Sequence, residues 1–213
     1  MKFICFDIES IPQNEELLLA RAPDFKPAAN LKDPDKIAAS ISEKRNRYIA
    51  DAALDWKTAE VVLIGCGDGE SFTPIYGDEK ETIREFLTLI HSALCDGCMV
   101  GGHNVKGFDL PMIINRARVH GLKIPDGILT MWKGRSQWAD NIFDTLEILT
   151  FGNKQDISGN GVDAVAATFG LPAKTGHGSD FPVMWKQNQD EAISYNRRDV
   201  EIEIEIARMC GVI

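Results

Sequence analysis

Asp7 and Glu9 stand two residues apart at the end of an apolar run, KFICFDIES, that begins at Lys2. The run reads as a buried strand, and residues two apart on a strand share a face. Two carboxylates on one face repel each other unless a cation lies between them. Alone, an Asp-x-Glu reads as a solvated strand end. Asp109, in NVKGFDLPMI, stands where a helix begins, and alone it reads as that helix's N-cap. Tyr195 and Asp199, in YNRRD, are four apart and share one face of a C-terminal helix, a spacing that is also that of a polar surface stripe. Together the segments say more. Asp7, Glu9, Asp109 and Asp199 offer only oxygen, a donor set for hard cations such as Mg²⁺ or Mn²⁺. Two such ions about 3.5–4 Å apart suit in-line attack on a phosphodiester, one activating a water and the other steadying the departing oxygen. Tyr195, one helical turn from Asp199, is placed to hold that water.

The elements that must position these residues follow from periodicity and punctuation. After the first strand, residues 12–56 are rich in Ala, Lys, Asp and Pro and read as a largely helical insertion. EVVLIGC (60–66) and SFTPIY (71–76), joined by GDGE, read as a hairpin. Residues 78–94 have acids in their first turn and apolar residues at helical spacing. CMVGG (98–102) is a short buried strand, 109–121 a helix, 141–152 a strand turning helical, 161–171 a short helix and 189–210 the last helix. That order predicts one α/β domain, three-layered, with a mixed central sheet whose later strands are joined through helices. Loops beyond adjacent strand ends form its natural crevice.

Bulk properties set limits. The 213 residues suit one large domain, with 44% hydrophobic and 26% charged residues, ordinary for a soluble protein. The net charge of −9 argues against a protein that coats nucleic acid by bulk charge, but leaves a local basic groove open. No run approaches the ~20 apolar residues of a membrane span, and the N-terminus lacks a secretory pattern, so the expected compartment is the cytoplasm. Cys5 and Cys66 read as core residues. Cys95 and Cys98, in CDGC, read as free thiols near a helix end, since no second pair completes a zinc set.

The constellation resembles the DEDD 3′–5′ exonucleases, in the subclass whose third motif is Tyr-x-x-x-Asp. FDIES matches the first motif, NVKGFD the second and YNRRD the third, in the family's order. The likeness spans residues 1 to about 208 and is nearest to stand-alone proteins similar to the proofreading domain of family B DNA polymerases. It implies a ribonuclease H-like fold with helices on both faces of the sheet. It also implies two divalent cations, Mg²⁺ or Mn²⁺, with Asp7, Glu9 and Asp199 holding the ion nearer the nucleophile. Asp7 would bridge to a second ion supported by Asp109, and Tyr195 would orient the water. Asn104 and Phe108 would flank the terminal nucleotide; for Phe108 a core anchor is the equal alternative. The insertion departs from the minimal fold, and its role stays open between covering the site, binding a partner and decorating the surface.

A path for a strand is suggested by Arg116, Arg118, Lys123, Lys133 and Arg135 with Trp132 and Trp138 interleaved, although a solvated helix and loop would look the same. Arg197 and Arg198 could meet a phosphate or pair with helix acids such as Glu201. Asp144 reads as a helix cap, and His103 as a residue shaping the pocket. The resulting expectation is a metal-dependent 3′–5′ exonuclease acting on single-stranded nucleic acid or 3′ ends of duplex DNA, DNA being favoured. A polymerase or repair partner is not specified. The competing classes are a non-catalytic nucleic-acid- or partner-binding module on the same fold, an RNA-directed exonuclease and a ribonuclease H-like endonuclease.

Overall fold

The computed structural model describes residues 2–132, 135–153, 159–172, 176 and 178–213. The chain divides into two compact units, Met1–Glu9 with Val61–Ile213, and Ser10–Glu60. Strand β1 (Phe3–Pro12) leads out of the first unit. The second holds α1 (Glu15–Ala20) and α2 (Pro34–Ala50). Asn14 and Asp33 cap these helices through side-chain oxygens, and Pro34 occupies the first turn of α2, where no backbone donor is lost. The second unit is tied internally by Tyr48, whose hydroxyl donates to the Leu18 carbonyl, and by Ser10, whose hydroxyl donates to the Ala53 carbonyl at 2.6 Å.

The first unit continues with β2 (Ala59–Gly67), β3 (Phe72–Tyr76), α3 (Glu79–Cys95), β4 (Met99–Gly102) and α4 (Asp109–Val119). A two-stranded ribbon follows, β5 (Leu129–Trp132) with β6 (Arg135–Trp138), then β7 (Ile142–Asp144) and α5 (Thr145–Leu149). Helices α6 (Val162–Thr168), α7 (Phe181–Gln187) and α8 (Gln189–Met209) complete the chain. The main sheet has the order β3-β2-β1-β4-β7. Its hairpin β2–β3 is antiparallel, whereas β1–β4 and β4–β7 are parallel, with Cys5 opposite Gly101 and Gly102 opposite Asp144.

Neighbouring residues of β1 show where the helices lie. Phe6 packs on Phe86 of α3, ring centroids 4.8 Å apart, while Cys5 clusters with Val200 and Ile204 of α8. Successive strand residues point to opposite faces, so α3 and α8 cover the two sides of the sheet. This is the mixed α/β, ribonuclease H-like architecture expected from the sequence. Asp7 follows the parity of Cys5 and faces α8. Strand β1 runs parallel to β4, with Cys5 opposite Gly101, so residues 7–9 of β1 and the segment 103–109 that follows β4 lie beyond the paired residues at one edge, where α/β sheets gather ligand groups.

On the α3 face, a buried ionic cluster pins helix to helix. Glu79 and Arg116 are 6% and 5% exposed. Arg116 Nε donates to Glu79 Oε1 at 2.8 Å and its Nη2 to Oε2 at 2.5 Å. His120 Nε2 lies 2.6 Å from Oε2, and the Val61 N–H donates to Oε1. Burial pushes the Glu79 carboxyl up, but hydrogen bonds from Arg116, His120 and Val61 outweigh it and hold the group below its ordinary 4.5. A depressed folded pKa gives stability that is fully present above the ordinary carboxylate range and is lost as pH falls through the folded value. Glu79→Gln, which leaves Arg116 buried without its counter-ion, should cost about 3 kcal/mol at neutral pH. Urea melts should show that deficit shrinking as pH falls below about 4; a deficit independent of pH would mean that the charge contributes nothing.

Candidate metal centre

Three of the four expected carboxylates meet. Asp7, Glu9 and Asp199 each present an oxygen, and these oxygens all lie within 4.8 Å of one another. Among the described residues this is the one such cluster of His, Cys, Asp and Glu. Glu9 and Asp199 are buried, at 9% and 3% exposure, and Asp7 is half-buried. Strand parity puts Asp7 and Glu9 on the face that meets α8, and α8 brings Asp199 to them. Three carboxylates this close, largely withdrawn from water, repel strongly in a medium of reduced dielectric. The all-oxygen donor set and its charge fit a hard divalent cation and do not fit a soft one.

Tyr195 is 4% exposed and lines the same 160 Å³ cavity as Asp7, Glu9 and Asp199. Its ring is packed 6.2 Å from that of Phe181 on α7. The third motif is therefore no surface stripe: Tyr195 and Asp199 face inward from one side of α8, as their spacing of four requires.

Asp109 behaves differently from an N-cap. The cap position of α4 is Phe108, with no side-chain cap bond, and Asp109 is the first helical residue. Its Oδ1 accepts the Ile8 N–H at 3.1 Å, so the carboxylate is fixed to the backbone between Asp7 and Glu9. Asp109 is 3% exposed. Burial, then the Asp7 charge, pushes its carboxyl well above the usual range. It stands beside the three-carboxylate cluster without belonging to it.

Asn104 and Phe108 sit in the loop between β4 and α4. Asn104 has a left-handed backbone, φ 62°, a conformation Asn tolerates better than most residues. A Cβ on Gly107 would lie 2.3 Å from the Asn104 Oδ1, so glycine there makes room for the amide. Asp144 fixes this loop from β7. Its Oδ1 accepts from the N–H groups of Asn104 and of Leu146, both at 2.9 Å, and its Oδ2 from that of Lys106. It therefore caps α5, as expected, and also clamps the second motif. Asn104 lines a separate 430 Å³ cavity with Lys106, Trp138 and Glu147. Phe108 is half-buried. His103 is 7% exposed, with Nε2 donating to the Asn160 carbonyl at 2.7 Å.

Some expectations about basic residues need correction. Arg116 belongs to the buried Glu79 cluster and is unavailable to a phosphate. Arg118 donates to Asn115. Arg197 lies 5.0 Å over the Phe72 ring, a cation–π contact the sequence did not suggest. Lys133, the side chains of Trp132 and Arg135, and His177 lie outside the described residues.

Three residues escaped the sequence reading. Asn196 and Glu203 are 0% and 2% exposed on the same side of α8 as Asp199. Glu203 Oε2 accepts the His103 N–H at 3.1 Å and lies 3.8 Å from Cys5 Sγ. Their positions, three before and four after Asp199, were a usable signal of a shared face. Asp163, at the start of α6, lines the carboxylate cavity, and nothing in its local sequence marks it.

The chain belongs to the family described as predicted 3′–5′ exonucleases related to the exonuclease domain of PolB, whose model matches residues 46–202. That match takes in Asn104, Asp109, Tyr195 and Asp199 and begins beyond Asp7 and Glu9. Among solved structures, the family B DNA polymerase of the hyperthermophilic archaeon Pyrobaculum calidifontis is similar, with a TM-score of 0.62 at 17% identity. The alignment covers 98% of this chain and 24% of the polymerase, a likeness of fold. No curated protein matches the sequence. Among the described residues, no helix is long and apolar enough to cross a membrane.

Proposed function

We propose that this protein is a metal-dependent 3′–5′ exonuclease of the Tyr-x-x-x-Asp subclass, releasing nucleoside monophosphates from single-stranded DNA. The observation that carries the proposal is the convergence of Asp7, Glu9 and Asp199 within 4.8 Å beside the buried Tyr195. We take residues 1–213 as one exonuclease domain carrying an insertion at about 12–56.

In this reading Asp7, Glu9 and Asp199 would hold a divalent cation, and Asp109 with Asp7 would hold a second. Bound there, Mg²⁺ or Mn²⁺ supplies water activation and stabilises charge on the phosphoryl and leaving oxygens. The chain's own groups do the rest. The Tyr195 hydroxyl orients the attacking water. Its ring, packed on Phe181, restricts the angle of approach. The Ile8 N–H keeps Asp109 aimed at the same edge as Asp7. Asn104, held by Asp144, and the Phe108 ring receive the terminal nucleotide, the ring by stacking.

The test is digestion of 3′- and 5′-labelled DNA and RNA strands. Activity should vanish in EDTA and return with Mg²⁺ or Mn²⁺, whereas a zinc-selective chelator should have no effect, because the ligands are all oxygen. Preference for RNA would replace the substrate assignment. Strand binding without cleavage at any metal concentration would favour the non-catalytic module.

A further inference from the structure

Asn196 occupies an expensive position. Its side chain is 0% exposed, its Nδ2 donates to Asp7 Oδ2 at 2.9 Å, and its Oδ1 has no hydrogen-bond partner among the described residues. A buried acceptor left unpaired destabilises the fold, a penalty an apolar side chain of similar size would avoid. Turning the amide over would not help, because Oδ1 would then face the Asp7 carboxylate. The donor end alone accounts for an amide at this place.

Strand β2 leaves room for it. Gly65, two residues before the end of β2, faces the amide: a Cβ there would fall 1.9 Å from Asn196 Oδ1, and 2.9 Å from the edge of the Phe72 ring. Any other residue at position 65 would have to displace the amide from Asp7. A glycine in a central strand weakens the strand unless a close approach requires it. Here the close approach is Asn196.

We infer that Asn196 is a positioning residue that sets the Asp7 carboxylate for the metal, with Gly65 providing the space that lets it do so. The inference rests on the exonuclease reading given above. An N–H on Oδ2 fixes the rotation of the Asp7 carboxyl and with it the direction in which the group is presented to a cation. Asn196 also ties Asp7 on β1 to α8, the helix that carries Asp199, so ligands from two elements are held in one register. Partners of metal-binding groups typically change metal affinity about 10–100-fold when removed.

The experiment is a Mn²⁺ titration, followed by electron paramagnetic resonance, of the unmodified protein, Asn196→Ala and Asn196→Leu, with digestion rates over the same metal range. Both variants should bind Mn²⁺ about tenfold more weakly or worse. Their digestion should fall at low Mn²⁺ and recover as Mn²⁺ is raised, with the KM for the strand unchanged. Variants that fold and bind Mn²⁺ like the unmodified protein overturn the inference and leave the exonuclease reading standing. Unmodified protein that neither binds Mn²⁺ nor digests a strand overturns both. Should the variants not fold, the ¹⁵N-labelled unmodified protein decides. The Asn196 side-chain amide resonances should move as Mg²⁺ is added, and resonances that stay still would overturn the inference.

Discussion

Asp7→Asn should yield a folded protein that no longer degrades a 3′-labelled strand. The substitution keeps the shape of the side chain and an oxygen to accept from Asn196, and removes only the charge. That charge is what Asp7 would bring, with Glu9 and Asp199 within 4.8 Å, to the proposed cation. Without it the cluster loses about one third of its formal charge, and a carboxylate proposed as a metal ligand becomes a weak neutral one. The rate should fall at least ~10³-fold, which is ~4 kcal/mol of transition-state stabilisation. Stability in the absence of metal should be unchanged or slightly higher, because three crowded carboxylates become two. Thermal melts in EDTA, beside single-turnover digestion in Mn²⁺, check both halves. An Asp7→Asn protein that digests DNA at the unmodified rate would remove the metal centre from the mechanism.

The centre was legible in the sequence where local periodicity fixes geometry. Residues two apart on β1 share a face, and residues four apart on α8 do too, so Asp7 with Glu9 and Tyr195 with Asp199 could be paired before any fold was known. The fold class followed from the order of strands and helices, because a strand, hairpin and alternating pattern leaves few arrangements open. What stayed hidden was set by contacts between distant segments. Asp109 stands where an N-cap belongs, yet its carboxylate turns to the Ile8 N–H, 101 residues away in sequence. Asp144 shows the converse, since its local role as a cap was readable and its bonds to Asn104 and Lys106 were not. Arg116 looked like part of a basic surface because charge on a helix usually faces water. Only the fold brings Glu79 against it and makes burial tolerable. Asn196 lay inside a quoted motif and was passed over, because an Asn beside a Tyr carries no meaning until Asp7 and Gly65 are known to enclose it.

Tyr195→Phe should slow the chemical step while leaving the metal and the strand bound. Tyr195 is buried beside the carboxylates, and its ring is fixed by Phe181, so removing the hydroxyl should leave the ring where it is. One helical turn separates it from Asp199, and it lines the cavity the carboxylates line. In that position its proposed task is to hold the attacking water in line. Loss of one such preorganised hydrogen bond costs about 2–4 kcal/mol of transition-state stabilisation. The corresponding fall in rate is roughly thirty- to a thousandfold. Asp199→Ala should be worse and should also weaken Mn²⁺ binding, because it removes an oxygen of the cluster rather than a group beside it. Single-turnover digestion combined with metal titration separates the two roles: Tyr195→Phe should alter the rate alone, and Asp199→Ala both quantities. Equal Mn²⁺ affinity and equal rate in Tyr195→Phe would mean that the buried tyrosine serves packing against α7, and the Tyr-x-x-x-Asp assignment would fall with it.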